Sequence, residues 1–169
     1  MKTLLIGNAL CFAGSTIMTL IGFIKDRKRF LAAQCGMNSI FIAGNLFLGG
    51  ISGAVSNFVT MLRNIICLRY EITVPLKILF SALFIGLTAA FGCNSIIMWL
   101  PVIGNCVFTW YMDTENMVLL KLIVIGSQIM WGIYDLSIYN YATVPFDIAA
   151  VITNAAAIAA IFKERKGNM

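Results

Sequence analysis

Seven apolar segments, each near the length of a membrane-crossing helix, make up almost the whole of this chain. A helix needs about twenty apolar residues to cross the hydrocarbon core of a bilayer, and fewer inside a compact bundle. Hydrophobic residues form 60% of the sequence and charged residues 11%, too few to cover a soluble domain with polar surface. We therefore predict one all-α integral membrane domain. The predicted spans are residues 4–24, 30–48, 51–69, 75–92, 95–111, 117–137 and 143–162.

The residue types exclude several classes of function. The sequence contains no histidine, which excludes His-dependent triads, His-ligated haem and HExxH zinc sites. Its five cysteines are widely spaced and form no C-x-x-C pair, which favours packing over the alternative of a redox or metal role. The basic residues behind the net charge of +5 lie mostly at the ends of the spans. Interaction with lipid headgroups explains these positions better than nucleic-acid binding does. We therefore expect no enzymatic activity, no cofactor, no metal and no nucleic-acid partner.

Polar residues inside the spans recur at a separation of ninety positions. Four polar residues in the second and third predicted spans are each followed, ninety positions later, by another amide or acid in the sixth or seventh span. An arbitrary overlay of these two parts of the sequence is expected to match roughly one of the four. Gly36 and Gly126 keep the same separation, and Ile6-Gly7-Asn8 recurs as Ile103-Gly104-Asn105. These matches predict an internal duplication. The four pairs are Asn38 with Gln128, Asn45 with Asp135, Asn57 with Asp147, and Asn64 with Asn154.

The duplication predicts a 3+1+3 arrangement of two parallel three-helix repeats. Residues 1–70 form the first repeat, residues 71–93 the linker helix and residues 94–169 the second repeat. The single linker helix reverses the chain, so that the second repeat starts from the same side of the membrane as the first. Because residues 78–92 of the linker carry no charged or amide side chain, we expect the linker to be a lipid-facing connector.

The positions of the basic residues predict the orientation in the membrane. Cytoplasmic ends of membrane helices hold the excess of Lys and Arg, and with seven spans only Lys2 lies on the opposite side. We therefore predict the N-terminus outside and the C-terminus in the cytoplasm, whereas six spans would lose this bias. The basic residues on the predicted cytoplasmic side are Lys25, Arg27, Lys28, Arg29, Arg69, Lys77, Lys121, Lys163, Arg165 and Lys166.

The recurring polar residues form one stripe on each of four helices, because a spacing of seven residues is nearly two helical turns. A polar group in hydrocarbon is costly, so the stripes predict a hydrated cavity between the repeats. The alternative is hydrogen bonding between helices, which Asn and Gln also provide in membranes. Arg63 lies about 9 Å deeper than Asn57 along its helix, and we expect it to reach the inner headgroups rather than a substrate.

Two carboxylates and two aromatic residues suggest what the cavity holds. Asp135 and Asp147 are the only carboxylates inside the predicted spans, and they are candidates for proton coupling or cation binding. The alternative is a carboxylate wetted at the membrane interface, with Asp147 also stabilising the start of its helix. Trp131 and Tyr134 offer aromatic faces to a ring-bearing solute, with packing between helices as the alternative.

These features resemble the superfamily of SWEET, PQ-loop and nicotinamide-riboside transporters. The stretches QCGMNSIFIAGN and MWGIYDLSIYN are similar to the YgjV-type family of bacterial inner-membrane proteins. In SWEET proteins a Trp-x-x-Tyr in the sixth helix and polar residues in the third and seventh helices border the substrate pocket. The resemblance therefore implies this role for Trp131, Tyr134, Asn57 and Asp147.

The chain also departs from that pattern. It lacks the Pro-Gln dipeptide, and Asp147 stands where an Asn is expected, two residues after the proline. Sugar specificity is therefore not carried over. The resemblance implies a location in the bacterial inner membrane and is compatible with a homo-oligomer.

The sequence favours a transporter or facilitator of a small polar solute, in which the two repeats rock about a central site. The alternative is a membrane receptor or assembly factor of the same fold, which binds a ligand without moving it. The expected partners are the lipid bilayer and an unidentified small solute. The predicted substrate-binding residues are Asn57, Asn64, Trp131, Tyr134, Asp147 and Asn154, and the predicted secondary lining residues are Asn38, Asn45, Gln128 and Asp135.

Overall fold

Seven α-helices follow one another along the described chain, which confirms the predicted number. The computed structural model describes residues 1–21, 24, 26–91 and 94–167. Several predictions fall partly outside the described residues: the end of the first span (22, 23), the basic residue at 25, the end of the linker (92, 93), the last two residues of the second repeat, and the side chains of residues 27 and 164–167. The helices are α1 Lys2–Ile21, α2 Arg27–Phe47, α3 Ile51–Cys67, α4 Val74–Ala90, α5 Ile96–Tyr111, α6 Met117–Ser137 and α7 Val144–Gly167.

Four of the described helices are long and apolar enough to cross a membrane. They are α1, α2, α6 and α7, each with an apolar stretch of at least 20 residues. The helices α3, α4 and α5 are apolar but shorter, at 17, 17 and 16 residues, and they pack against one another. This pattern supports an integral membrane protein in which the short helices share one compact region.

Local sequence explains where several helices begin. The Asp26 side chain accepts a hydrogen bond from the N–H of Arg29 at 2.8 Å and caps α2. Asn116 caps α6 in the same way, accepting from the N–H groups of Val118 and Leu119. Pro75 lies in the first turn of α4, where the missing N–H costs nothing.

Helix packing divides the molecule into two similar groups. Helix α2 packs against α1 and α3, and α6 packs against α5 and α7. Helix α4 packs on α3 and α5, with an apolar core of Val55, Val59, Phe80, Phe84 and Val102 between the three. Phe80 and Phe84 belong to α4 and are buried. The expected lipid-facing connector therefore has one exposed side and also a buried side that contributes to the core.

The ends of α2 and α6 have the same backbone structure, ninety residues apart. Gly49 has φ +76° and Tyr139 has φ +60°, and within the described chain these two residues have positive φ. In each case the following residue donates its N–H at 2.8 Å to the carbonyl five residues earlier. This is the Schellman motif, in which a left-handed residue closes the helix. Both helices end in this turn although only one of them has glycine there.

The Ile-Gly-Asn recurrence does not place its two glycines at equivalent depths. A Cβ at Gly7 would meet Leu48 beyond the end of α2, whereas a Cβ at Gly104 would meet Ser127 in the middle of α6. In the ninety-residue correspondence Ser127 matches Met37, about three helical turns from Leu48. The motif therefore does not hold equivalent positions in the two helix groups and does not support the predicted duplication.

An ion pair joins the start of α4 to the end of α5. Lys77 Nζ donates to the two carboxylate oxygens of Asp113 at 2.7 and 2.8 Å and to the carbonyl of Trp110 at 3.0 Å. The lysine side chain is 9% exposed and the Asp113 side chain 51% exposed. Hydrogen bonding to Lys77 holds the pKa of Asp113 below its usual range.

This ion pair predicts a pH dependence of stability. An aspartate whose pKa is depressed by folding stabilises the fold above its unfolded pKa of about 3.9, and the contribution disappears as pH falls through the folded pKa. We expect Asp113→Asn to be less stable than the native chain near pH 6 and to approach it near pH 3. The free energy of unfolding in detergent, measured at several pH values, tests this. Glu115→Gln is the control, because Glu115 is exposed and in no ion pair of the described residues. A constant difference between Asp113→Asn and native would contradict the prediction.

Candidate functional site

A cavity of about 200 Å³ lies at the centre of the molecule, between the two helix groups. Side chains from α1, α2, α3, α5, α6, the α6–α7 turn and α7 line it, and none from the described part of α4 does. No Lys or Arg is among the described lining residues. The cavity therefore joins both groups and carries only acidic, amide, hydroxyl and apolar side chains.

The structure brings most of the predicted site residues together. Of the predicted substrate-binding residues, Asn57, Trp131 and Asp147 line the cavity. All the predicted secondary residues line it too. Three predicted substrate-binding residues lie elsewhere. The secondary residues are Asn38, Asn45, Gln128 and Asp135, and the three that lie elsewhere are Asn64, Tyr134 and Asn154.

Asn64 and Arg63 lie beyond one end of the cavity and hold helices together. Asn64 Nδ2 donates to Gln34 Oε1 at 2.9 Å. Arg63 is 3% exposed, and its Nη1 donates to Thr109 Oγ1 at 2.8 Å while its guanidinium lies 5.6 Å from the centroid of the Phe108 ring. The prediction that Arg63 reaches the headgroups is therefore wrong. Its side chain turns inward between α3 and α5.

Tyr134 lies in a tight seam between α3 and α6. Its side chain is fully buried, and its hydroxyl accepts a hydrogen bond from the N–H of Gly53 at 2.9 Å. Its ring meets that of Trp131 edge to face, with centroids 5.8 Å apart. Tyr134 therefore supports the cavity wall from behind, while Trp131 faces the cavity. Asn154 is half-buried and donates to the carbonyl of Ala150 in its own helix at 2.8 Å.

Two amides of the first helix group donate a hydrogen bond within their own helices. Asn45 Nδ2 donates to the carbonyl of Phe41, and Asn57 Nδ2 donates to the carbonyl of Gly53, each four residues earlier and at 2.9 Å. A carboxylate cannot make this bond, because it has no proton to donate when ionised. The aspartates at the matching positions of the second group therefore need donors from elsewhere.

The two aspartates differ in how that need is met. Asp135 is 4% exposed, and both its oxygens accept a hydrogen bond: Oδ1 from Asn140 Nδ2 at 3.0 Å and Oδ2 from Thr143 Oγ1 at 2.7 Å. Asp147 is 8% exposed, and its Oδ2 is buried without a donor among the described residues. One carboxylate is thus fixed in a network, and the other presents an unsatisfied oxygen.

Sequence reasoning missed several lining residues. Asn140 and Thr143 lie in the α6–α7 turn, outside the regular spacing of the stripes. Asn140 and Phe41 belong to the two stretches that carry the family resemblance, which was the available signal. Asn105 was in the recurring tripeptide but was not assigned to the site. The unpredicted lining residues are Ser15, Met18, Met37, Phe41, Thr60, Asn105, Phe108, Val124, Ser127, Asn140 and Thr143.

Several contacts close one end of the bundle across the two helix groups. Asn8 Nδ2 donates to the carbonyl of Tyr139 at 3.0 Å, and Asn8 Oδ1 accepts from the N–H of Ala142 at 3.1 Å. The rings of Phe12 and Phe146 meet edge to face at 5.7 Å. We call this the Asn8 end. It is the end at which α1 starts and α2 turns into α3.

Residues 5–165 match the model of the Imp-YgjV family, described as a bacterial inner membrane protein. The chain belongs to this family. The match covers nearly all of the sequence and agrees with the apolar helices, so the protein is a bacterial inner membrane protein. No curated protein and no solved structure matches the chain.

Proposed function

We propose that this Imp-YgjV family protein is a transporter or facilitator of a small polar solute, working by alternating access between two three-helix bundles, α1–α3 and α5–α7. The observation that carries the proposal is the central cavity, lined by side chains from all six of these helices. Polar and ionisable groups are costly in the hydrocarbon of a membrane, so they face the interior of the helix bundle and often mark a solute path or binding site. A cavity at the interface of two similar bundles is where transporters bind their solutes.

The relation between the two bundles supports an internal repeat. Three of the ninety-residue pairs contribute both members to the cavity wall, namely Asn38 with Gln128, Asn45 with Asp135, and Asn57 with Asp147. Neither member of the fourth pair does. The matching Schellman turns add an independent sign, since a left-handed Tyr139 is costly and is expected only where the surrounding structure requires it. We propose on this basis the 3+1+3 fold of the SWEET and PQ-loop superfamily.

The contacts at the Asn8 end indicate which side is closed. We propose that this end faces the outside, because the basic residues concentrate at the other end. The described state is then closed toward the outside. Transport requires the Asn8 hydrogen bonds and the Phe12–Phe146 contact to open, so that the bundles separate there and close at the cytoplasmic end.

The accessibility of a single cysteine tests alternating access without knowledge of the solute. In a background without native cysteines, Thr60→Cys places a thiol at the cavity wall. We expect a membrane-impermeant thiol reagent to label it in both right-side-out and inside-out vesicles. Thr153→Cys, on an exposed face of α7, is the control and is expected to react from neither side, because its thiol faces lipid.

Locking the Asn8 end sharpens this test. A disulfide between Asn8→Cys and Ala142→Cys is expected to abolish labelling of the Thr60→Cys thiol from the outside and to leave its labelling from the cytoplasmic side intact. Reduction is expected to restore both, and each single cysteine is the control for the pair. Labelling from one side only, in the unlocked protein, would contradict alternating access and favour the receptor or assembly factor.

A further inference from the structure

We propose that Asp147 is the counter-ion for a small monovalent organic cation bound in the central cavity, with Trp131 providing an aromatic face beside it. The inference rests on the proposed function of the cavity as a solute site and assigns the chemical class of the solute.

The first observation is that the acidic side chains of the cavity wall have no basic partner. Asp135 and Asp147 both line it, and no Lys or Arg of the described residues does. Of the two cations buried in the described chain, Lys77 pairs with Asp113, and Arg63 donates to Thr109 and lies against the ring of Phe108 without lining the cavity itself. A carboxylate withdrawn from water is costly unless a positive group or hydrogen-bond donors replace the water. The site is therefore built to receive positive charge.

The second observation distinguishes the two carboxylates. Both oxygens of Asp135 already accept hydrogen bonds, from Asn140 and Thr143. Asp147 is more than nine-tenths buried, and its Oδ2 has no donor among the described residues. The first turn of α7 gives Asp147 the partial positive charge of a helix N-terminus, but this is worth at most about half an elementary charge. Of the two acids, Asp147 is therefore the one left to pair with a ligand, whereas Asp135 is a positioning residue within its own network.

The comparison with Asn57 explains why this oxygen is free. Asn57 holds the matching position in α3 and donates to the carbonyl of Gly53 in its own helix. An aspartate there has no proton to donate, so the local bond is absent at Asp147. Asn57 thus makes its hydrogen bond within its own helix, whereas Asp147, the acid at the matching position, needs a donor from outside its helix.

The remaining wall favours an organic cation over a metal ion. Trp131 and Phe41 line the cavity, and aromatic faces attract alkylammonium groups, Trp most strongly. Within the described residues no three Cys, Asp or Glu side chains come together as metal ligands. The volume of about 200 Å³ is well above the roughly 10–15 Å³ that a cavity needs to hold one water. The cavity therefore has room for a small amine.

A matched pair of ligands tests the charge. Choline and 3,3-dimethylbutan-1-ol have the same shape, and only choline carries a positive charge. We expect choline to raise the thermal stability of the purified full-length protein in detergent, in a saturable way, and the neutral alcohol to have no such effect. The same comparison with 2-phenylethylamine and 2-phenylethanol covers a primary amine. Equal effects of cation and alcohol, or no effect of either amine, would overturn the proposal.

Variants locate the charge within the cavity. Asp147→Asn is expected to weaken choline binding by about tenfold or more, and Glu115→Gln, which removes an exposed carboxylate outside the cavity, is expected to leave it unchanged. Trp131→Leu is the second variant. It is expected to weaken the binding of choline, and the neutral alcohol is expected to remain without effect. Unchanged choline affinity in Asp147→Asn would overturn the proposal, whatever the effect of Trp131→Leu. So would an Asp147-dependent stabilisation by sodium chloride over potassium chloride that choline does not reproduce, since the site would then take an inorganic ion.

These results are separable from those of the transport proposal. Asp147-dependent choline binding together with one-sided labelling of the Thr60→Cys thiol would keep the cation site and reject alternating access. Two-sided labelling without any preference for cations would keep alternating access and reject the cation site.

Discussion

Gly53→Ala is expected to lower the free energy of unfolding by about 2–3 kcal/mol, because a methyl group at this position has no room. A Cβ at Gly53 would lie 2.7 Å from both Cε1 and the hydroxyl of Tyr134 and would overlap Asn45 Oδ1. The Tyr134 ring is fully buried and cannot move aside without displacing α6. The seam between α3 and α6 must therefore open, and the hydrogen bond from the N–H of Gly53 to the Tyr134 hydroxyl lengthens or breaks. Unfolding in detergent, followed by circular dichroism, measures the loss.

Gly86→Ala is the matched control for this prediction. Gly86 also lies inside a helix, but a Cβ there would meet nothing within 4 Å. Because alanine favours the helix over glycine by up to about 1 kcal/mol, we expect Gly86→Ala to be as stable as the native protein or slightly more stable. If Gly53→Ala and Gly86→Ala had the same stability, the close contact between α3 and α6 would not exist as described.

The helices of this protein are predictable from sequence because charges, glycines and prolines interrupt the apolar runs where the chain turns. The predicted span 117–137 coincides with α6, and the predicted span 95–111 differs from α5 by one residue. The short turn before Ile51, with its two glycines, also falls where the structure has it. Length and hydropathy decide these elements locally, so tertiary contacts are not needed to find them.

The partners of the polar residues are much less predictable. A spacing of seven residues assigns a residue to a helix face, but it does not say whether a neighbouring helix or a cavity lies opposite that face. Asn57 and Asn64 share one face of α3, yet Asn57 lines the cavity and Asn64 meets Gln34. Arg63 was expected at the headgroups because a long cationic side chain can extend to them. The choice between lipid and protein depends on how α5 packs, which only the fold determines.

The hydrogen bonds to Asp135 could not be predicted from the sequence for a related reason. Its donors Asn140 and Thr143 lie five and eight residues further along the chain, beyond the end of α6. They reach the carboxylate because the chain reverses at Tyr139, whose left-handed backbone gives no sequence signal of the kind that glycine provides. A helical periodicity cannot predict contacts that cross such a turn.

Asp135→Leu is expected to lower the free energy of unfolding by about 2 kcal/mol, since leucine keeps the branched shape of the side chain and removes the acceptor of two hydrogen bonds. Asn140 Nδ2 is then left buried without an acceptor, a loss of about 1–3 kcal/mol, whereas the Thr143 hydroxyl retains the nearby carbonyl of Asn140 at 3.1 Å. Asp135→Asn is expected to be milder, because rotation of the Asn140 amide brings its unpartnered Oδ1 toward the new amide group. Unfolding in detergent of the three proteins, without added ligand, measures this order.

Asp147→Leu is the control that separates the roles of the two acids. No described residue donates to Asp147 Oδ2, so its removal leaves no donor behind, and we expect the stability without ligand to change by less than about 1 kcal/mol or to increase. The pair of results would show that one carboxylate belongs to the fold and the other to the ligand. Equal destabilisation by Asp135→Leu and Asp147→Leu would contradict this division, because both acids would then support the bundle itself.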